Sequence, residues 1–262
     1  MSKLLVIAAL VTIAAADPIP WVSRSSPKSP QGKIVGGTEV SIEEVPYQVV
    51  FMVSGMSTCG GSIISREWVV TAAHCMGYPK FMYTLRAGSN RANNGGTKHA
   101  LAKVIIHEDY KIDADGIPEH DIALVKVKTP FTFDSTRRPI SLYNLNEEVE
   151  DGANSVITGW GVTSIDGQGS DILHTVNVPI ISKQDCKEAY SSQRGLPEGQ
   201  ICAAYPDGGQ DACQGDSGGP LVVAKRLAGV VSWGNGCAIP GYPGVYSEVA
   251  YYRSWIARNS GI

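Results

Sequence analysis

Asp211-Ala-Cys-Gln-Gly-Asp-Ser217-Gly-Gly-Pro220 sets one serine inside a cluster of glycines. Glycine enters backbone conformations closed to other residues, so such a run makes a tight turn that exposes the serine hydroxyl and aims neighbouring N–H groups at one point. A serine hydroxyl is a weak nucleophile unless a base lies within hydrogen-bond reach. Upstream, Thr71-Ala-Ala-His74-Cys75 and His120-Asp121-Ile-Ala-Leu124 offer an imidazole and a carboxylate. Singly, each has an ordinary reading: the histidine as a surface or core side chain, the aspartate as a turn cap, the serine as a loop residue. It is their joint presence, in the chain order His, Asp, Ser, that points to nucleophilic catalysis.

Outward from these strings, strand-like runs recur every eight to fifteen residues: Gln48–Val53, Trp68–Ala72, Ala102–Ile106, Ile122–Val127, Asn154–Thr158, Leu221–Val223 and Gly229–Ser232. Asn93-Asn94-Gly95-Gly96, Asp166-Gly167, Asp207-Gly208 and Gly234-Asn235-Gly236 punctuate them as turns. With 29 glycines and 15 prolines in 262 residues, this spacing predicts antiparallel barrels or sandwiches, and the chain beyond Ile34 is long enough for two. A seam is expected at Pro130–Pro139, where proline, serine and Arg137-Arg138 interrupt the pattern. Only Tyr251–Asn259 reads as a helix, with Tyr252, Trp255, Ile256 and Asn259 on one face. No internal repeat is visible.

Charge and cysteine content narrow the class further. Lys and Arg number 22 against 25 Asp and Glu, net −3, and no stretch gathers five basic residues, so no nucleic-acid partner is expected. The apolar run Leu4–Ala16 is shorter than the roughly 20 residues a spanning helix needs. Preceded by Lys3 and closed by Ala14-Ala15-Ala16, it reads as a secretory signal, residues 1–16. Residues 17–33, with Pro18, Pro20, Pro27 and Pro30 among serines, read as an extended pro-segment ending at Lys33, before Ile34-Val35-Gly36-Gly37. Removing 1–33 leaves 18 basic against 24 acidic side chains, an anionic, extracellular chain with no hold on a membrane. Export implies an oxidising compartment, where six cysteines form three disulfides whose pairing the spacing leaves open. Neither Cys-x-x-Cys nor His-Glu-x-x-His occurs, so no metal site and no cofactor are expected.

Thr71-Ala-Ala-His74-Cys75, then Gly215-Asp-Ser217-Gly-Gly-Pro220, then Ser232-Trp233-Gly234 form a highly specific combination. On these residues the chain from Ile34 onward, about 229 of 262 residues, resembles the chymotrypsin-fold serine proteases and within them the trypsins, in particular invertebrate, arthropod-like members with few disulfides. The resemblance implies an all-β fold: two six-stranded antiparallel Greek-key barrels, about 34–136 and 137–262, with the active site in the cleft between them and a C-terminal helix. It implies His74 as base and then acid, Asp121 as the carboxylate that orients the imidazole, Ser217 as nucleophile, and the Gly215 and Ser217 N–H groups as oxyanion donors. Asp211 would sit at the bottom of a specificity pocket with Ala212, Gln214, Ser232, Trp233, Gly234 and Gly244 around the bound residue, drawing in Lys or Arg. Ala212 stands where many trypsins carry a hydroxyl, which predicts Arg over Lys.

Cutting after Lys33 would free the Ile34 amine to pair with Asp216 and order the oxyanion turn, so the uncut chain is expected to be a zymogen. That paired amine should titrate above its free value of about 7.7–8.0, and the active form should be lost as pH rises through the elevated pKa. The implied disulfides are Cys59–Cys75, Cys186–Cys202 and Cys213–Cys237. Gly88–Thr97, where calcium-binding trypsins carry two glutamates, has none here, so no calcium site is expected. Protein and peptide substrates, proteinaceous protease inhibitors, a monomeric state and a digestive role complete the expectation. A non-digestive processing protease, and an inactive homologue acting as a binding protein, are the alternatives.

Overall fold

Gln48-Val-Val-Phe-Met-Val53 is rich in β-branched and aromatic side chains, and burial at every one of its positions marks a strand covered on both faces. The computed structural model describes residues 36–162, 169–193 and 195–262. Its first barrel is built from β1 (Gln48–Val53), β2 (Met56–Ile63), β3 (Trp68–Thr71), β4 (Tyr83–Ala87), β5 (Thr97–Ile106) and β6 (Ala123–Val127). They close in the order β1-β2-β3-β6-β5-β4, every pair antiparallel. The second uses β7 (Asn154–Gly159), β8 (His174–Ile181), β9 (Gln200–Ala203), β10 (Pro220–Val223), β11 (Arg226–Trp233) and β12 (Gly244–Glu248). It closes as β7-β8-β9-β12-β11-β10, the same order six places on. The repetition lies in the pairing and not in residue identity, which is why the sequence shows no repeat.

The helix prediction needs one correction. Besides α2 (Val249–Ser260), a second helix, α1 (Lys183–Ala189), follows β8. It is short and carries one buried residue, Cys186, so hydrophobic periodicity misses it, although Ser182 caps it by accepting the Asp185 N–H at 2.9 Å.

The chain ends cross between the barrels. Thr38–Glu39 pairs with Thr175 and His174 of β8, in the second barrel. At the other end, Val249, Tyr252, Trp255 and Ile256 of α2 join the hydrophobic cluster that fills the first barrel. The cysteines pair as Cys59–Cys75, Cys186–Cys202 and Cys213–Cys237.

The loop after β4 is organised by a side chain from β4 itself. Arg86, only 6% exposed, donates from Nε to Ala92 O at 2.9 Å and from a terminal nitrogen to Asn93 O at 3.0 Å, and it also bonds Gly95 O. No carboxylate occurs between Arg86 and Glu108, so this loop does not suit a hard divalent cation, and the guanidinium gathers its carbonyls instead. Arg86→Ala is expected to cost about 3 kcal/mol, three hydrogen bonds at roughly 1 kcal/mol each, while EDTA leaves the melting temperature of the unaltered protein unchanged. Thermal melts with and without chelator check both, and a chelator-induced drop would put a metal ion in the loop.

Candidate active site

β3 ends at Thr71, and Ala72-Ala73 carry the chain into a 3-10 turn over His74–Met76, with Cys75 tied to Cys59. This fixes His74 at the end of the first barrel. Asp121, fully buried just before β6, accepts from His74 N at 2.9 Å, from His74 Nδ1 at 2.7 Å and from Ser232 Oγ at 2.5 Å. A carboxylate accepts only, so the His74 proton sits on Nδ1 and the lone pair on Nε2 points away. Ser247 Oγ donates to the Asp121 carbonyl at 2.7 Å.

Ser217 enters from the second barrel, on the turn between Cys213 and Pro220. Gly215 has φ +96° and Gly218 φ +77°, values open to glycine, and the turn is closed by Asp216 N to Cys213 O at 3.0 Å and Gly219 N to Asp216 O at 2.8 Å. It docks on the first barrel through Gly60 N to Ser217 O at 2.8 Å. A Cβ on Gly218 would meet Thr71 Oγ1 at 2.2 Å, so the close approach of this turn to the histidine's strand depends on glycine. Among the described residues the Gly215 and Ser217 N–H groups have no acceptor, and Ser217 Oγ makes no hydrogen bond to His74 Nε2. Bonds of the second kind commonly form only once substrate is bound.

Beside Ser217 opens a cavity of about 210 Å³ lined by Asp211, Ala212, Gln214, Trp233, Gly234 and Gly244. Cys213 and Cys237 line it as well, together with Gly236, Val245 and Tyr246, which the sequence reading missed. Ser232, expected around the bound residue, turns its hydroxyl to Asp121. A Cβ on Gly244 would lie 2.7 Å from Asp211 Oδ1 and cover the carboxylate, whereas one on Gly234 would meet nothing closer than 3.4 Å. Glycine at 244 therefore keeps the acid reachable, and glycine at 234 keeps the wall open.

Asp211 is 5% exposed and accepts from Ala212 N at 2.8 Å and Ala238 N at 3.1 Å. Burial pushes its pKa up to about 7 against the opposing pull of those two N–H groups. No cation faces it among the described residues. A small cation such as benzamidine needs the ionised form. Its affinity should therefore fall about tenfold per pH unit below 7 and level off above, with a proton released on binding near neutrality. Calorimetry across pH in buffers of different ionisation heat checks this, and a pH-independent dissociation constant from 5 to 8 would contradict it.

A second buried acid lies beneath the serine turn. Asp216, fully buried, accepts from Gly161 N at 2.8 Å and Cys213 N at 3.0 Å, and burial pushes its pKa up to about 6. Cβ atoms on Gly159 or Gly161 would meet its carboxylate at 2.0 and 2.4 Å, so two glycines make its room. Lys33 and Ile34, expected to act with it, lie outside the described residues.

Two antiparallel six-stranded barrels with the His74–Asp121 pair on one and a glycine-turn serine on the other define a serine endopeptidase of the chymotrypsin fold. The trypsin family model matches residues 34–256. The vitellin-degrading protease of Bombyx mori is 41% identical over 241 residues, covering 91% of this chain and 90% of that protein. Trypsin 5G1 of Aedes aegypti is 41% identical over 232 residues, 88% of this chain and 86% of that one. Trypsin-1 of Astacus astacus is 38% identical over 242 residues, 87% of this chain and all of that one. The chain belongs to the trypsin family, and it is a trypsin-like serine endopeptidase acting on protein substrates.

Proposed function

We propose that this is a secreted, monomeric protease made as a zymogen, activated by cleavage after Lys33, that cuts peptide bonds after Arg and, less well, after Lys. The observation that carries the specificity is the buried, cation-free Asp211 carboxylate at the bottom of the cavity beside Ser217. An arginine or lysine side chain supplies the missing positive charge. The boundaries at 1–16, 17–33 and 34–262, with barrels divided near 136, belong to the same proposal.

In the reaction His74 Nε2 takes the Ser217 proton as Oγ attacks the scissile carbonyl, and the Gly215 and Ser217 N–H groups hold the oxyanion. The proton then passes from His74 to the leaving amine, and an acyl-enzyme remains. Water, deprotonated by His74, repeats the addition and releases the new carboxyl terminus. Asp121 stabilises the imidazolium in both halves.

Activation rests on Asp216. A buried acid with no cation beside it among the described residues favours protonation, and an amine inserted beside it would restore the charged form and fix the turn that bears Gly215 and Ser217. Proteinaceous protease inhibitors would dock in the same cleft. The relative named for degrading vitellin keeps a processing role beside the digestive one.

The test uses purified full-length chain and matched Arg, Lys and Phe peptide arylamides, before and after limited trypsin treatment with removal of the trypsin. Activity should appear with a new Ile34 terminus, with kcat/KM for Arg above that for Lys and negligible for Phe. Equal Arg and Lys values would remove the role given to Ala212, and silence despite a correct terminus would favour an inactive homologue that binds without cleaving.

A further inference from the structure

His120, immediately before Asp121, has φ +52°, a region that residues with a Cβ occupy only where their surroundings hold them. Its carbonyl accepts the Ile122 N–H at 2.8 Å, closing a three-residue turn with Asp121 at the apex. The direction of the apex carboxylate therefore depends on the backbone of His120. Two neighbours hold that residue. Its ring stacks on His107 at 5.0 Å and 11° between planes, and its Nδ1 lies 3.2 Å from the Tyr252 hydroxyl of α2. The His107 N–H donates to Ile122 O at 3.1 Å, and the His107 ring also meets Trp255 of α2 at 5.0 Å. Trp255 in turn donates from Nε1 to Glu108 at 2.7 Å. His74 and Ser232 hold the Asp121 carboxylate from the cleft side, whereas this group grips its backbone from behind.

We propose that His120 is a positioning residue for Asp121 and that the C-terminal helix holds it in place through Tyr252. The proposal rests on the catalytic reading of Asp121 given above. Tyr252→Phe deletes one hydroxyl from a buried ring and leaves its packing intact. It should lower kcat per titrated serine about fivefold with KM unchanged. The acid limb of the kcat/KM profile should also move to lower pH, because a loosened carboxylate stabilises the His74 imidazolium less. His120→Ala should lose more. His120→Asn, which tolerates left-handed backbone, should recover much of that loss.

A second readout needs no turnover: the low-field proton resonance of His74 Nδ1–H, followed in a Ser217→Ala background. Added to that background, Tyr252→Phe should shift or broaden the resonance. If Tyr252→Phe and His120→Ala lower only the melting temperature, leaving kcat per titrated serine, the acid limb and the resonance where they were, the proposal is overturned and the cluster is structural. Failure of the unaltered, activated protein to cleave arginyl substrates would instead sink the functional reading, and the resonance would still decide this one.

Discussion

Ser217→Ala is expected to lower kcat on an arginyl peptide by about 10⁶ with little change in KM, the size seen when an unrelated serine protease loses the same group. The expectation is sharp because Ser217 anchors its turn by its backbone carbonyl, to Gly60 N, while its hydroxyl makes no hydrogen bond to His74 Nε2. The alanine protein should therefore keep its melting temperature and still bind benzamidine. Adding His74→Ala should cost almost nothing more, since a base without its nucleophile has no task. Steady-state and single-turnover assays on trypsin-free material check this. A loss below tenfold would mean that hydrolysis uses another group.

The second large effect concerns substrate choice. Asp211→Ser should reduce kcat/KM for arginyl substrates by about 10²–10⁴, the equivalent of the 3–5 kcal/mol that a buried charge pair loses when one partner is removed. Phenylalanyl substrates, which never had a charge to satisfy, should lose little or improve, so that the preference narrows or inverts. Stability should rise slightly above pH 7. There the buried carboxylate, with its pKa pushed up to about 7, is ionised with no cation beside it among the described residues. Below pH 4 the same acid is protonated in both folded and unfolded chains and that cost is absent. Matched Arg, Lys and Phe substrates and melts at pH 5 and 8 provide the measurement, and an unchanged Arg to Phe ratio would remove Asp211 from the pocket's chemistry.

Much of this molecule is legible in its sequence, for uneven reasons. β1 and β6 are mostly apolar runs, buried at every position but Lys126, and such runs announce themselves. β2 does not, since Met-Ser-Thr-Cys-Gly-Gly-Ser-Ile is exposed over its first three residues and its glycines serve close approach, to Gly219 at Gly60 and to Phe51 at Gly61. The serine turn and the His74 string are local, so their identity survives in sequence. The partners that hold them are not: Gly60 N holds the Ser217 carbonyl from the other barrel, and Asp121 meets His74 across 47 residues. Ser232 was legible as part of a string, but its partner was not, because a hydroxyl at the mouth of a pocket and one turned to a carboxylate look alike in sequence. Tyr246, buried at the floor of the pocket, gave no local signal beyond one aromatic residue in a strand.

The crossing of Thr38–Glu39 and α2 ties the two barrels to one another. α2 supplies Val249, Tyr252, Trp255 and Ile256 to the cluster that fills the first barrel. Without α2 the cluster would lose four of its buried side chains and open as an apolar patch of the kind that invites non-native association. The first barrel thus depends for its cover on a helix that follows the last strand of the second.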